Sequence, residues 1–164
     1  NDRQPPMSQE TCSLPKPTEP VELSTSVWVG PAPNPGSLRQ LTEAGFRSII
    51  NNQPETDEDL LMAPNEVATE AASVGLSYVH IPVEGRNPLE KDVRRFHDAL
   101  TSLPPPIFAF CKTGGRSASL WAMASVADLD TETLISRCHH IGFDISGIRQ
   151  KMDMRREMLK DDDE

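Results

Sequence analysis

In "FAFCKTGGRSASLWAMAS", residues 108–125, Cys111 leaves an apolar run, enters a glycine turn and is followed, after four intervening residues, by Arg116 and Ser117. A thiol and a guanidinium so placed suit nucleophilic attack on an anionic group. If a strand ends at the cysteine and a helix follows the glycines, the helix N-terminus offers unpaired N–H groups and the positive end of its dipole. That setting binds anions and favours thiolate over thiol. Gly114 and Gly115 let the amides of residues 112–116 turn inward as an anion nest. Arg116 adds a planar clamp for two oxygens, Lys112 and Thr113 line the turn, and Ser117 is placed to cap the helix or to hydrogen-bond the sulfur. A cysteine after an apolar strand is most often a small buried hydrophobe. Here strand, cysteine, paired glycines, Arg-Ser and helix occur in the order a nucleophile needs.

The rest of the chain must position that loop. Short apolar strands are expected at 26–30, 46–51, 77–83 and 107–110, and helices at 37–45, 65–74, 88–103, 117–127, 131–140 and 148–159. Glycine or proline punctuates most of them. Such alternation with short connections implies an α/β domain with a mostly parallel central sheet flanked by helices in three layers. In open sheets of this kind ligands gather at the carboxyl ends of the strands, where Cys111 falls. The 117–127 helix is apolar nearly all round and is expected at the centre.

At 164 residues the chain supports one domain with a sizeable core. Residues 1–24 carry five prolines among polar residues and read as a flexible arm, residues 25–159 as the domain, and 160–164 as an acidic tail. A net charge of −9 argues against nucleic acid and anionic membranes as partners, and no apolar run is long enough to span a bilayer. Cys12, Cys111 and Cys138 have no paired spacing, so neither a disulfide framework, a metal site nor a cofactor is indicated, and a reducing cytoplasm is the expected setting. His139 and His140 read as favourable charge at a helix C-terminus. His80 reads as an outward strand residue, and residues 94–97 and 154–157 as solvated faces. The acidic run 54–64 reads foremost as a plain surface loop, and as a cover over the site it offers Glu55, Asp57, Glu58 or Asp59 as an acid.

"CKTGGRSASLWA", together with "VWVGPAP", "LTEAGFRSIINNQP" and "GLSYVHIPV", resembles the bacterial family of β-lactamase-hydrolase-like protein phosphatase-like domains over about residues 26–148. That family commonly carries arginine where this chain has Gln53. In fold it resembles the cysteine-dependent dual-specificity protein phosphatases. The resemblance implies Cys111 as nucleophile forming a cysteinyl-phosphate, the Arg116 side chain and the loop amides of Lys112, Thr113, Gly114, Gly115 and Arg116 as binders of the phosphoryl oxygens, and Ser117 as a support for the thiolate. Three departures stand out: four residues rather than five separate cysteine and arginine, Phe110 replaces a histidine, and the place of the general acid falls near Gly85, with Glu84 the closest carboxylate. The shorter loop resembles that of rhodanese-type sulfurtransferases, whose persulfide chemistry needs no acid for an alkoxide. Expected substrates are therefore phosphomonoesters, with sulfane sulfur as the alternative and non-catalytic binding of a phosphorylated ligand as a third reading.

Overall fold

The computed structural model describes residues 16–85 and 87–162. In chain order the elements are β1 (Val21–Glu22), β2 (Val27–Pro31), α1 (Leu38–Glu43), β3 (Ser48–Asn51), α2 (Pro64–Val74), β4 (Ser77–His80), α3 (Glu90–Ser102), β5 (Ile107–Cys111), α4 (Gly115–Ala124), α5 (Thr131–His140) and α6 (Arg149–Asp162). The strands form one sheet in the order β1-β2-β5-β3-β4, parallel except for the antiparallel β1. The expected mostly parallel α/β architecture is present, and β5 is its middle strand.

Because successive strand residues point to opposite faces, each strand feeds two cores. Ile49, Phe108 and Phe110 pack with Leu38 and Leu41 of α1 and Val67 and Ala71 of α2. Ile50, Ile107 and Ala109 face the other way, onto Phe96 of α3, Leu120 and Trp121 of α4, Leu134 of α5 and Met152 of α6. Each large side chain so buried contributes about 1.5–3 kcal/mol relative to exposure. Two helices on one face and four on the other make the three layers.

Local signals explain where the helices start and stop. Pro64 opens α2, the Glu66 carboxylate accepts the Ala63 N–H at 2.7 Å, and Gly75 ends it at φ 83°. The Asp130 carboxylate accepts the Thr133 N–H at 2.7 Å at the start of α5, whose last turn carries Arg137, His139 and His140.

Several boundaries differ from the sequence expectations. The sheet begins at Val21, inside the stretch read as an arm, and Leu23 is buried in the core. Residues 1–15 of that arm, with Cys12, lie outside the described residues, as do 163 and 164 of the acidic tail. α6 runs on to Asp162, through the first part of that tail. Residues 154–157 are only partly a solvated face: Arg155 is buried, donating to Glu90 and to the Met123 carbonyl. Arg156 ties α6 to the carbonyls of Val126 and Leu129. A guanidinium has five donors and a long apolar stem, so it can close a helix interface while keeping its charge paired. Among the described residues no helix is long and apolar enough to cross a membrane.

Candidate active site

Cys111 is the last residue of β5 and is buried on its floor, in register with Pro31 of β2. The chain then turns through Lys112, Thr113 and Gly114 and enters α4 at Gly115, two residues earlier than the sequence pattern implies. Gly114 adopts φ 108°, a conformation that lets its N–H point back to the Cys111 sulfur at 3.1 Å. The Gly115 N–H is directed to the Thr113 hydroxyl at 3.4 Å. No side chain fits at Gly114: a Cβ there would stand 2.9 Å from the Phe143 ring and 3.0 Å from the Gly30 Cα. Gly115, by contrast, has ordinary van der Waals room.

Arg116, in the first turn of α4, reaches a partner 59 residues away. Its Nη1 and Nη2 donate to the two carboxylate oxygens of Asp57 at 3.1 and 2.6 Å, and Nη1 also donates to the Val83 carbonyl at 2.9 Å. The two side chains are only 15% and 17% exposed. Burial raises the Asp57 carboxyl, but the hydrogen bonds and charge of Arg116, with a bond from Gln53 and the charge of Lys112, hold it below the usual range. Burial likewise opposes the charge on Arg116; Asp57 and the Cys111 sulfur outweigh it and raise the guanidinium further. Asp57 is therefore a carboxylate at neutral pH. Lys112 meets the same loop at Asp59, 4.0 Å away.

Ser117 is buried in α4, and its hydroxyl donates to Asn52 Oδ1 at 2.7 Å. A hydroxyl has one hydrogen to give, so that of Ser117 goes to Asn52 rather than to the sulfur. Capping by Ser117 is likewise not seen, since Gly114 holds the N-cap position. Asn52 in turn donates from its side chain to the Ile81 carbonyl and from its backbone to the Phe110 carbonyl, both at 2.8 Å. This one residue, directly after β3, ties β5 and α4 to the segment that follows β4.

The neighbours of Asn52 support the acidic loop. The Gln53 N–H donates to Asn51 Oδ1 at 2.9 Å, its side-chain amide to Asp57 Oδ2 at 3.3 Å, and its carbonyl accepts from His80 Nε2 at 2.7 Å. His80 is thus half-buried and partnered rather than simply outward. Glu84, the carboxylate closest to the expected place of a general acid, is exposed. Cys138 lies buried behind α4, its thiol pushed up to about 12 by desolvation, and is unsuited to nucleophilic work at neutral pH. Among the described residues no group of three or more His, Cys, Asp or Glu could hold a metal ion.

Sequence reasoning brought together residues 111–117 because they are contiguous. It did not single out Asp57 or assign Gln53 and Asn52 their parts. The only signals were an acidic run and a polar triplet closing an apolar strand.

A mostly parallel sheet between helical layers is the fold of the protein phosphatases whose solved structures superpose on this chain. Residues 21–128 match the family model for the phosphatase-like domain of β-lactamase hydrolase-like proteins, and the chain belongs to that family. A β-lactamase hydrolase-like protein of Agrobacterium fabrum is 29% identical over 108 residues, covering 66% of this chain and 25% of that protein. The chain thus spans about a quarter of that relative's length. Among solved structures, a Neisseria meningitidis protein described as a candidate phosphatase superposes with a TM-score of 0.73 at 23% identity, covering 82% of this chain and 96% of the other. PTPMT1 in complex with PI(5)P superposes with a TM-score of 0.65 at 17% identity, covering 87% and 95%.

Proposed function

We propose that this domain is a cysteine-dependent phosphomonoester hydrolase. The observation that carries the proposal is the buried Cys111 sulfur at the start of the glycine turn, with the Gly114 N–H directed to it at 3.1 Å and the Arg116 guanidinium of the same turn braced by Asp57. The thiolate of Cys111 attacks phosphorus, the bond from phosphorus to the leaving oxygen breaks, and that oxygen departs with the bonding pair. The resulting cysteinyl-phosphate is hydrolysed by water, releasing inorganic phosphate and restoring the thiolate. Amides of Lys112 to Gly115 and the Arg116 side chain hold the nonbridging oxygens as charge builds on them. Ser117 acts at one remove, by fixing the first turn of α4 against Asn52. The phosphorylated ligand bound by PTPMT1 is consistent with a phosphate ester as the substrate class.

Protonation of the leaving group sets the substrate preference. Asp57 is ionised and engaged with Arg116, and Glu84 is exposed, so neither is arranged as a buried proton donor. Loss of a placed acid costs about 10²–10⁴-fold with poor leaving groups. Activated aryl phosphates, whose leaving oxygen departs more readily without a proton, are the expected substrates, and alkyl phosphates the poor ones.

The same observation favours a second reading, sulfur transfer. Here Cys111 attacks the sulfane sulfur of thiosulfate, sulfite leaves, and a thiol or cyanide accepts the sulfur from the persulfide. The four-residue spacing from Cys111 to Arg116 suits it. Parallel assays with an aryl phosphate and with thiosulfate, followed by intact mass of the trapped protein, decide between the two. A phosphoryl adduct on Cys111 supports the hydrolase and a sulfane adduct the transferase. Absence of either adduct leaves a binding role for the loop. In both enzymatic readings Cys111→Ser removes turnover while the fold is retained; full activity in that variant defeats both.

A further inference from the structure

Arginine carries five N–H donors in a plane, and at Arg116 their partners can be counted. Nη1 has two hydrogens, one directed to Asp57 and one to the Val83 carbonyl. Nη2 gives one to the second Asp57 oxygen. What remains is the Nε–H and the other Nη2–H, which lie parallel along a single edge of the guanidinium. That edge is the side-on fork that fits two oxygens of a tetrahedral anion. The nearby Cys111 sulfur favours the positive charge on the guanidinium.

Asp57 therefore does not compete for the substrate's place. It grips the Nη1–Nη2 end of the guanidinium and leaves the Nε–Nη2 edge unengaged. Its own position is set by the Gln53 amide at 3.3 Å, while the Gln53 backbone is fixed by Asn51 and His80. Arginine has a long, rotamer-rich stem, and ordering it during binding costs free energy that a preformed clamp avoids.

We propose that Asp57, supported by Gln53, is a positioning residue that presents the free edge of Arg116 to an anion held over Cys111. The use of that edge by substrate oxygens rests on the hydrolase reading above; the ordering of Arg116 does not.

The test compares the wild-type chain with Asp57→Asn and with Gln53→Ala, whose backbone contacts persist. Nitrogen-resolved NMR of the arginine side chains reports ordering without any substrate. The wild type should show a protected Arg116 Nε–H and separate Nη signals, averaged in Asp57→Asn and partly averaged in Gln53→Ala. Competitive inhibition by inorganic phosphate against an aryl phosphate should weaken roughly tenfold or more in Asp57→Asn, as for loss of one charge-assisted contact. A purely structural role would lower thermal stability while leaving the phosphate inhibition constant and KM of the folded fraction unchanged. Unaltered Arg116 signals in Asp57→Asn, or phosphate inhibition within twofold of wild type, overturn the proposal. Averaged signals in the variant, with no phosphate binding by the wild type, uphold the positioning and overturn the hydrolase reading instead.

Discussion

At the scale of single residues, the ion pair of Asp57 and Arg116 makes stability depend on acid in a definite direction. The Asp57 carboxyl is lowered in the folded chain from its ordinary 3.8, so the unfolded chain binds its proton at the higher pH. Stability from this group is complete above about pH 4 and disappears as pH falls through the lowered folded value. Urea unfolding of wild type and Asp57→Asn should differ by a constant amount near neutrality and converge below pH 4. A difference that persists unchanged into acid would show that the carboxylate charge is not what Asn lacks. Arg116 was legible in the sequence from its place after a glycine turn. Its partner was not, because two residues 59 apart in sequence with no shared periodicity leave no pattern in one chain. The acidic run held four carboxylates, and only the path of the loop selects Asp57.

At the scale of elements, alternation of apolar runs with glycine and proline stops made the layered α/β fold readable. The 3.6 period is strong over α3, while β3 and β5 read as short apolar runs buried on both faces. β1 escaped because a two-residue antiparallel edge strand among prolines has no period to detect. The start of α4 was misplaced at Ser117 because glycine at the head of a helix carries no apolar signal. The contact between β2 and the turn explains why glycine is needed there: Gly114 faces Gly30 and the Phe143 ring with no space for a Cβ. Gly114→Ala should lose about 1–3 kcal/mol from backbone strain alone, with overpacking in addition. Gly115→Ala should stay close to wild type in urea unfolding. Equal losses in the two variants would mean that the close approach of the turn to β2 is not what demands glycine.

At the scale of the whole molecule, exposed Leu89, Met154 and Met158 gather beside a groove of about 710 Å³ between the start of α3 and α6, far along the chain from the anion turn. The relatives extend well beyond the region that this chain matches. The feature with the widest consequence is the burial of α4, every residue of which from Ser117 to Ala124 is buried. Helices α3, α5 and α6 all lie against it. A helix walled in on all sides has no low-energy way to open alone. Its amide protons should therefore exchange with deuterium only through complete unfolding, at the rate set by global stability, while those of the 54–62 loop exchange far sooner. Early exchange within α4 at neutral pH would contradict this. The turn at 112–114 is thus built onto the segment expected to exchange most slowly, so its shape should persist for as long as the chain is folded at all, and the slow fluctuations that reach the site are expected in the acidic loop that holds Asp57.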